Sequence, residues 1–260
     1  MYFAIAASRH APVLLQGIVG RDTAEDHAQL LQPFAASMDG VAVSATPTLL
    51  WHAVHDFQRW VTASESSEPG CDPEWIPRLS QAASSAEVLF LGSMHPALQL
   101  EVRAQTGARL VGSDSMTVFL RSHHDSVLGV VRRSDVLFLN RAELAALTGD
   151  DDWRNAANQV LRQGASAVVV KAGPLGAALV TRDGVIERDA APVDRVIDPT
   201  GAGDALAGGF LGVCAATERF DPEIAERGLD DGLRCAAAAI STFGPQGLLR
   251  FAGAGGPGNV

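Results

Sequence analysis

Short apolar runs recur along this chain at residues 13–19, 88–92, 108–112, 136–139 and 167–171, with helix-like stretches between most of them. Runs this short and this uniformly apolar suit strands buried on both faces. Their alternation with helices predicts a largely parallel sheet covered by helices. The candidate helices are 23–36, 74–83, 123–133, 152–163, 202–217 and 222–243. With 260 residues and 47% hydrophobic content, the chain is large enough for one sizeable domain around a buried core.

Between residues 40 and 63 the pattern changes to short alternating pieces, Val41-Ala-Val-Ser44, Leu49-Leu-Trp-His52 and Phe57-Gln-Arg-Trp-Val61, followed by a polar tract at 64–72. This predicts a β-rich insertion over 40–63, then a loop, set into a main domain of residues 1–39 and 64–250. The tail at 251–260 is too glycine-rich to pack and is expected to fray.

The run Asp198-Pro-Thr-Gly-Ala-Gly-Asp204 leads directly into the apolar stretch Ala-Leu-Ala-Gly-Gly-Phe210. If a helix begins here, the N–H groups of Gly201, Ala202 and Gly203 have no helical acceptors and can converge on an anion. A carboxylate at Asp204 would repel a phosphate, so it makes little sense as a binding group. It makes sense as a base that takes a proton from an attacking hydroxyl while the amides stabilise charge on the transferred group. The plainer alternative is a capped helix after a glycine turn. Gly208, Gly209 and Gly212 lie inside the helix, where each costs about 1 kcal/mol relative to alanine, so close packing is expected there.

Asn140-Arg-Ala-Glu143 follows the apolar run Asp135-Val-Leu-Phe-Leu139, at the strand end where open α/β sheets place ligands. Taken alone, Asn140 is a helix N-cap and Glu143 its capping-box partner. In Val168-Val-Val-Lys-Ala-Gly-Pro-Leu-Gly176, a strand meets a tight turn. Lys171 could approach a phosphate or simply be solvated, and Gly173 serves backbone conformation or close approach. Farther on, Ala236-Ala-Ala-Ala-Ile-Ser-Thr-Phe-Gly-Pro-Gln-Gly247 reads as a small-residue helix and its terminating loop.

The run from Asp198 to Phe210 resembles the signature of the PfkB family of carbohydrate kinases, whose ribokinase-like fold also includes nucleoside kinases such as adenosine kinase. The other three segments resemble the family's Asn-x-x-Glu motif, its nucleotide-side turn, and the helix and loop beside the adenine. The resemblance implies a ribokinase-like three-layer αβα fold, with a largely parallel central sheet and a small β lid that often forms a dimer contact. It implies an ATP-dependent kinase acting on a hydroxyl of a small sugar, polyol or nucleoside. Asp204 would be the base and Gly201, Ala202 and Gly203 the anion hole. Lys171, Gly173, Gly176, Thr200, Ser241, Gly244 and Gly247 would line the nucleotide, and Asn140 and Glu143 would organise Mg2+ largely through water. In many members the loop around Ser241 also holds a monovalent cation such as K+. Asp114, at a strand end, would touch substrate or cap the next turn. The absence of a basic cluster near the strand ends disfavours an already phosphorylated acceptor.

In the family pattern a strand bearing a hydroxyl-holding aspartate and a Gly-Gly loop precede a helix like Tyr2–Ala7, where this sequence begins. Without that strand the sheet would lack a central neighbour and the acceptor pocket one wall. The rival expectation is therefore a catalytically weak nucleotide-binding or regulatory protein.

A net charge of −10 argues against nucleic-acid or anionic-membrane partners. No apolar run approaches the roughly 20 residues that span a bilayer, and the first residues lack a basic leader, which makes the cytoplasm the expected location. The widely spaced Cys71, Cys214 and Cys235 suit buried thiols. His52 with His55, and His123 with His124, lack the carboxylate or cysteine companions of a metal site. A dinucleotide-binding Gly-x-Gly-x-x-Gly should follow the first strand, whereas Gly201-Ala-Gly203 comes late with Leu206 in the third position.

Overall fold

The computed structural model describes residues 1–56 and 61–254. Helix α1 (Tyr2–Ala7) is followed by β1 (Leu14–Gly20), α2 (Ala24–Leu31) and β2 (Ser37–Ser44), then by the strands β3 (Leu50–Asp56) and β4 (Val61–Glu68). The middle of the chain runs α3 (Gln81–Ser84), β5 (Val88–Leu91), α4 (Pro96–Ala104), β6 (Leu110–Asp114), α5 (Thr117–Ser122), α6 (His124–Val131), β7 (Val136–Asn140), α7 (Arg141–Thr148) and α8 (Trp153–Gln163). It ends with β8 (Ala167–Lys171), β9 (Ala177–Thr181), β10 (Gly184–Arg188), α9 (Ala202–Thr217), α10 (Pro222–Ile240) and α11 (Gln246–Ala254).

Six strands form the central sheet in the order β10-β9-β8-β7-β6-β5. Strands β5 to β8 are parallel, and β9 and β10 continue the edge antiparallel. Because successive residues of a strand face opposite ways, Val136, Phe138, Ala167 and Val169 pack with Leu206, Phe210 and Leu229 of α9 and α10. Leu137, Leu139, Val168 and Val170 pack on the other side with Val127, Leu144 and Val160 of α6, α7 and α8. The apolar runs at 136–139 and 167–171 are thus strands covered on both faces, in the three-layer α/β arrangement expected.

Helix α9 is buried from Ala205 to Cys214. Its glycines are contact points: a β-carbon on Gly209 would lie 2.8 Å from Gly232 Cα of α10, one on Gly212 would lie 3.1 Å from Ala7 Cα of α1, and Gly208 abuts the Phe3 carbonyl. The helix-propensity cost of glycine is offset by backbone approach that no larger residue permits.

Four local expectations change. Strand β1 pairs in parallel with β2 in a separate two-stranded sheet, while α1 stacks Phe3 on Phe90 of β5 with ring centroids 4.2 Å apart. The helix expected over 74–83 is extended in its middle, since Pro77 lacks an N–H and biases Ile76 away from helical angles. A 3-10 turn over Asp72–Glu74 ends at its first residue, and the α-helix is confined to Gln81–Ser84, capped by Ser80. Part of the polar tract expected as a loop is β4, antiparallel to β3 from Leu50↔Glu68 to Asp56↔Val61. Ser66, Ser67 and Glu68 are exposed, so their polarity reports solvent contact rather than irregular backbone. Residues 251–254, expected to fray, belong to α11, with Ala252 buried and Arg9 lying over the Phe251 ring. Of the predicted insertion, Val41–Ser44 is the end of β2, and positions 57–60 lie outside the described residues, as do 255–260 of the tail.

All three cysteines are buried and unpaired in disulfides. Burial, with Asp221 adding to it, pushes the Cys214 thiol up to about 12; burial and Asp231 do the same for Cys235. A raised thiol pKa means little thiolate at pH 8. The native protein is therefore expected to react slowly with an aromatic disulfide reagent and the denatured protein to release three equivalents. Three fast equivalents from the native state would contradict this packing. Among the described residues, no helix is long and apolar enough to cross a membrane.

Candidate active site

The signature folds as a turn that delivers Asp204 to the first turn of α9. Asp198 Oδ1 accepts the Thr200 N–H at 2.9 Å, Gly201 takes the left-handed conformation with φ of 80°, and the first intrahelical bond runs from Ala205 N–H to the Gly201 carbonyl at 2.9 Å. A side chain on Gly201 would be strained and would strike the Tyr2 ring. Of the three expected amides, that of Ala202 donates to the Pro199 carbonyl at 3.3 Å, because the turn closes on itself there. The Gly203 and Asp204 N–H groups lie in the first turn, where a helix supplies no acceptors of its own.

Three adjacent parallel strands end against this turn, placing Asp114 on β6, Asn140 on β7 and Lys171 on β8. Lys171 Nζ donates to Asp114 Oδ2 at 2.8 Å and Oδ1 at 3.1 Å, and lies 3.7 Å from Glu143 Oε2. A β-carbon on Gly203 would be 3.2 Å from Lys171 Nζ and 3.7 Å from Asp114 Oδ2. Asp114, expected at the acceptor or as a cap, thus joins Lys171 and Glu143 in one cluster.

Asn140 and Glu143 form the complete capping box: Asn140 Oδ1 accepts the Glu143 N–H at 2.9 Å, and Glu143 Oε2 accepts the Asn140 N–H at 2.7 Å. The box fixes Glu143 beneath the Lys171 ammonium. Burial raises the Glu143 pKa and Asp114 adds to the rise, with Lys171 opposing. Burial alone would discharge Lys171, but Asp114 and then Glu143 outweigh it and hold the ammonium well above the ordinary lysine range. Burial, with Asp114 contributing, raises the Asp204 carboxyl, against the opposing ammonium groups of Met1 and Lys171.

A cavity of about 620 Å³ opens beside this cluster. Lys171, Gly173, Gly176, Ala202 and Gly203 line its polar end, and Val193, Val196, Ala236, Ala237 and Ile240 contribute to an apolar wall. Gly173 and Gly176 carry φ of 58° and 85°, and a β-carbon on Gly176 would overlap the Arg188 carbonyl, so the turn after β8 requires both glycines. Thr200, Ser241, Gly244 and Gly247 are not among the residues that line the cavity: Ser241 caps α10 by donating to the Ala238 carbonyl at 2.8 Å, and Gly247 packs against that same carbonyl. Gly244 has φ of 64°, which shapes the loop. The 190–196 wall escaped sequence reading, although the run Ala190-Ala-Pro-Val193 just before the signature marked an apolar non-helical segment. His123 pairs with His95, Nε2 to Nε2 at 3.2 Å, rather than with its neighbour His124.

The pfkB family carbohydrate kinase pattern matches residues 3–250. A cytidine kinase of Thermococcus kodakarensis is 31% identical over 131 residues, which cover 48% of this chain and 47% of that protein, so the match spans about half the length of that curated relative. The structure is similar to that of a Vibrio cholerae fructokinase in a fructose-, ADP- and calcium-bound form, with a TM-score of 0.78 and 22% identity over 97% of this chain and 88% of that one. It is also similar to the Methanocaldococcus jannaschii nucleoside kinase, a member of the ribokinase family, with a TM-score of 0.77 and 19% identity over 98% and 84% of the two chains. These likenesses establish the ribokinase-like α/β fold, and the match over residues 3–250 places the chain in the pfkB family of carbohydrate kinases.

Proposed function

We propose that this protein is an ATP-dependent kinase that transfers the γ-phosphoryl group to a hydroxyl of a small sugar, polyol or nucleoside. The observation that carries the reading is the placement of Asp204 in the first turn of α9, beside unsatisfied helix amides and the Lys171 ammonium. The names of the relatives, a cytidine kinase and a fructokinase among them, support that acceptor range.

In this reading Asp204 takes the proton of the acceptor hydroxyl as its oxygen attacks the γ-phosphorus, and ADP leaves in line. The Gly203 and Asp204 amides face the charge that develops on the transferred group, with Lys171 adding a full positive charge. The apolar wall from Val193 to Ile240 takes the base, and the turn at Gly173 and Gly176 lets the backbone approach the nucleotide.

Asp114 and Glu143 fit Mg2+: both are oxygen donors, both are largely buried, and they converge closely enough for one ammonium to reach both. Among the described residues no set of three acidic, histidine or cysteine side chains closes around a metal, which suits an ion that keeps part of its water. When bound, Mg2+ neutralises phosphate charge. Asn140 acts indirectly by holding Glu143 through the capping box. The hydroxyl and carbonyl oxygens between Ser241 and Gly247, a segment without a carboxylate, are donors suited to K+. The β3–β4 hairpin is the lid and the homodimer contact in this reading, with Leu50 and Val54 exposed on it at 47% and 61%. The protein works in the cytoplasm.

The reading is tested by screening sugars, polyols and nucleosides for acceptor-dependent ADP release with Mg-ATP. At least one class should give ADP well above the acceptor-free rate. A protein that binds ATP yet releases no ADP with any class would instead be a nucleotide-binding regulator.

A further inference from the structure

The Lys171 ammonium stands where a divalent cation would have to meet this site's carboxylates. It contacts both oxygens of Asp114 at 2.8 and 3.1 Å and lies 3.7 Å from Glu143 Oε2. The three side chains are only 17%, 8% and 10% exposed. Asp204 adds a third carboxylate to the field of this one lysine. Two enclosed carboxylates can both stay ionised only with a cation between them, and in the nucleotide-free protein the cation placed there is Lys171. The same ammonium lies against Gly203, on the path of any phosphate that reaches the first turn of α9. It therefore has two competing sets of anionic partners, one inside the protein and one brought by the ligand.

We propose that Lys171 is an exchangeable counter-ion: in the nucleotide-free protein it occupies Asp114 and Glu143 and competes with the divalent cation for them, and arriving phosphates draw it away. Lys171 leaves the carboxylates for a phosphate oxygen, and the freed carboxylates then take the cation. Metal and nucleotide binding are coupled because one ammonium cannot serve both partners at full strength. The metal alone binds weakly, which keeps the site from filling before the nucleotide is present. The hand-over to phosphate rests on the kinase reading above; the competition for Asp114 and Glu143 does not.

The test titrates Mn2+, an oxygen-seeking probe read by loss of the free-ion EPR signal, into full-length nucleotide-free wild type, Lys171→Met and Lys171→Gln. Both variants should bind Mn2+ about tenfold or more tightly than wild type, the least expected when a buried cation is removed from two carboxylates. Lys171→Arg, which keeps the charge, should bind as weakly as wild type, and Lys171→Gln with Asp114→Asn should lose the gain. Lys171→Gln keeps a donor for Asp114 and guards against misfolding of the methionine variant; Mn2+ should also raise its melting temperature more than that of wild type. Folded Lys171→Gln that binds Mn2+ no better than wild type overturns the proposal, even if wild type proves to be a kinase. Failure of wild type to bind ADP overturns the kinase reading and the hand-over with it, whatever the Mn2+ result.

Discussion

Asp204→Asn is expected to lower kcat by about a thousandfold, the middle of the range that a positioned general base contributes, while leaving nucleotide affinity within a few-fold of wild type. The amide keeps the size of the carboxylate but cannot take the acceptor proton at neutral pH. In wild type the acid limb of the kcat/KM profile should lie above the ordinary carboxylate range, because burial and Asp114 raise the Asp204 pKa and the base works only when deprotonated. That limb should vanish from the residual activity of the variant. The effect on stability has the opposite direction. A carboxyl whose folded-state pKa is raised favours folding in its protonated form and opposes folding once the pH exceeds both pKa values. At pH 7 the neutral amide should therefore raise the melting temperature. Paired kinetics and thermal denaturation check both statements. A variant that loses activity and also melts lower would point to a structural role for Asp204, and full turnover in Asp204→Asn would remove it as the base.

Phe210→Ala is expected to cost about 3–5 kcal/mol of folding stability, the range for truncating a large buried aromatic. Phe210 is 0% exposed in α9 and meets Phe138 of β7 edge-on at 5.5 Å between ring centroids. Phe220 approaches it at 6.4 Å. On the α10 side the neighbour is Gly228, where a β-carbon would be 3.0 Å from the Phe210 carbonyl. Glycine has no side chain to swing into the space left by the ring, so the cavity should persist and the loss fall toward the upper end. Phe243→Ala, at a side chain 82% exposed, should stay within about 0.5 kcal/mol and serves as the control. Guanidinium unfolding reads both as midpoint shifts at unchanged slope. A loss below about 1 kcal/mol at Phe210 would mean that α9 is not packed on the sheet as described.

Helix α9 was legible in the sequence because its determinants are local. The turn at Asp198 to Gly201 starts the helix, the apolar residues after Asp204 bury it, and its bounds match the reading. The capping role of Asn140 and Glu143 was equally local, since both partners lie within one helical turn. The chemistry around that box was only partly legible. Asp114 lies 57 residues from Lys171 in sequence, and only the β6-β7-β8 register brings them together. His95, at the start of α4, and His123, between α5 and α6, are 28 residues apart and meet only through tertiary packing, so His123 pairs with His95 and not with its sequence neighbour. The break within 74–83 has a local cause, since Pro77 lacks the N–H that a helix there would need. The separation of β1 and β2 from the central sheet has no local signature, since the residues 14–19 look like any buried strand.

The most direct test of Asp204 as the base of a hydroxyl kinase is 31P NMR of a reaction containing the full chain, Mg-ATP and an acceptor from the screen. The account predicts a new phosphomonoester resonance that grows one for one with ADP in wild type and is absent on the same timescale in Asp204→Asn. ADP accompanied by inorganic phosphate at a rate unchanged by any acceptor, or equal phosphomonoester formation by the variant, would contradict it.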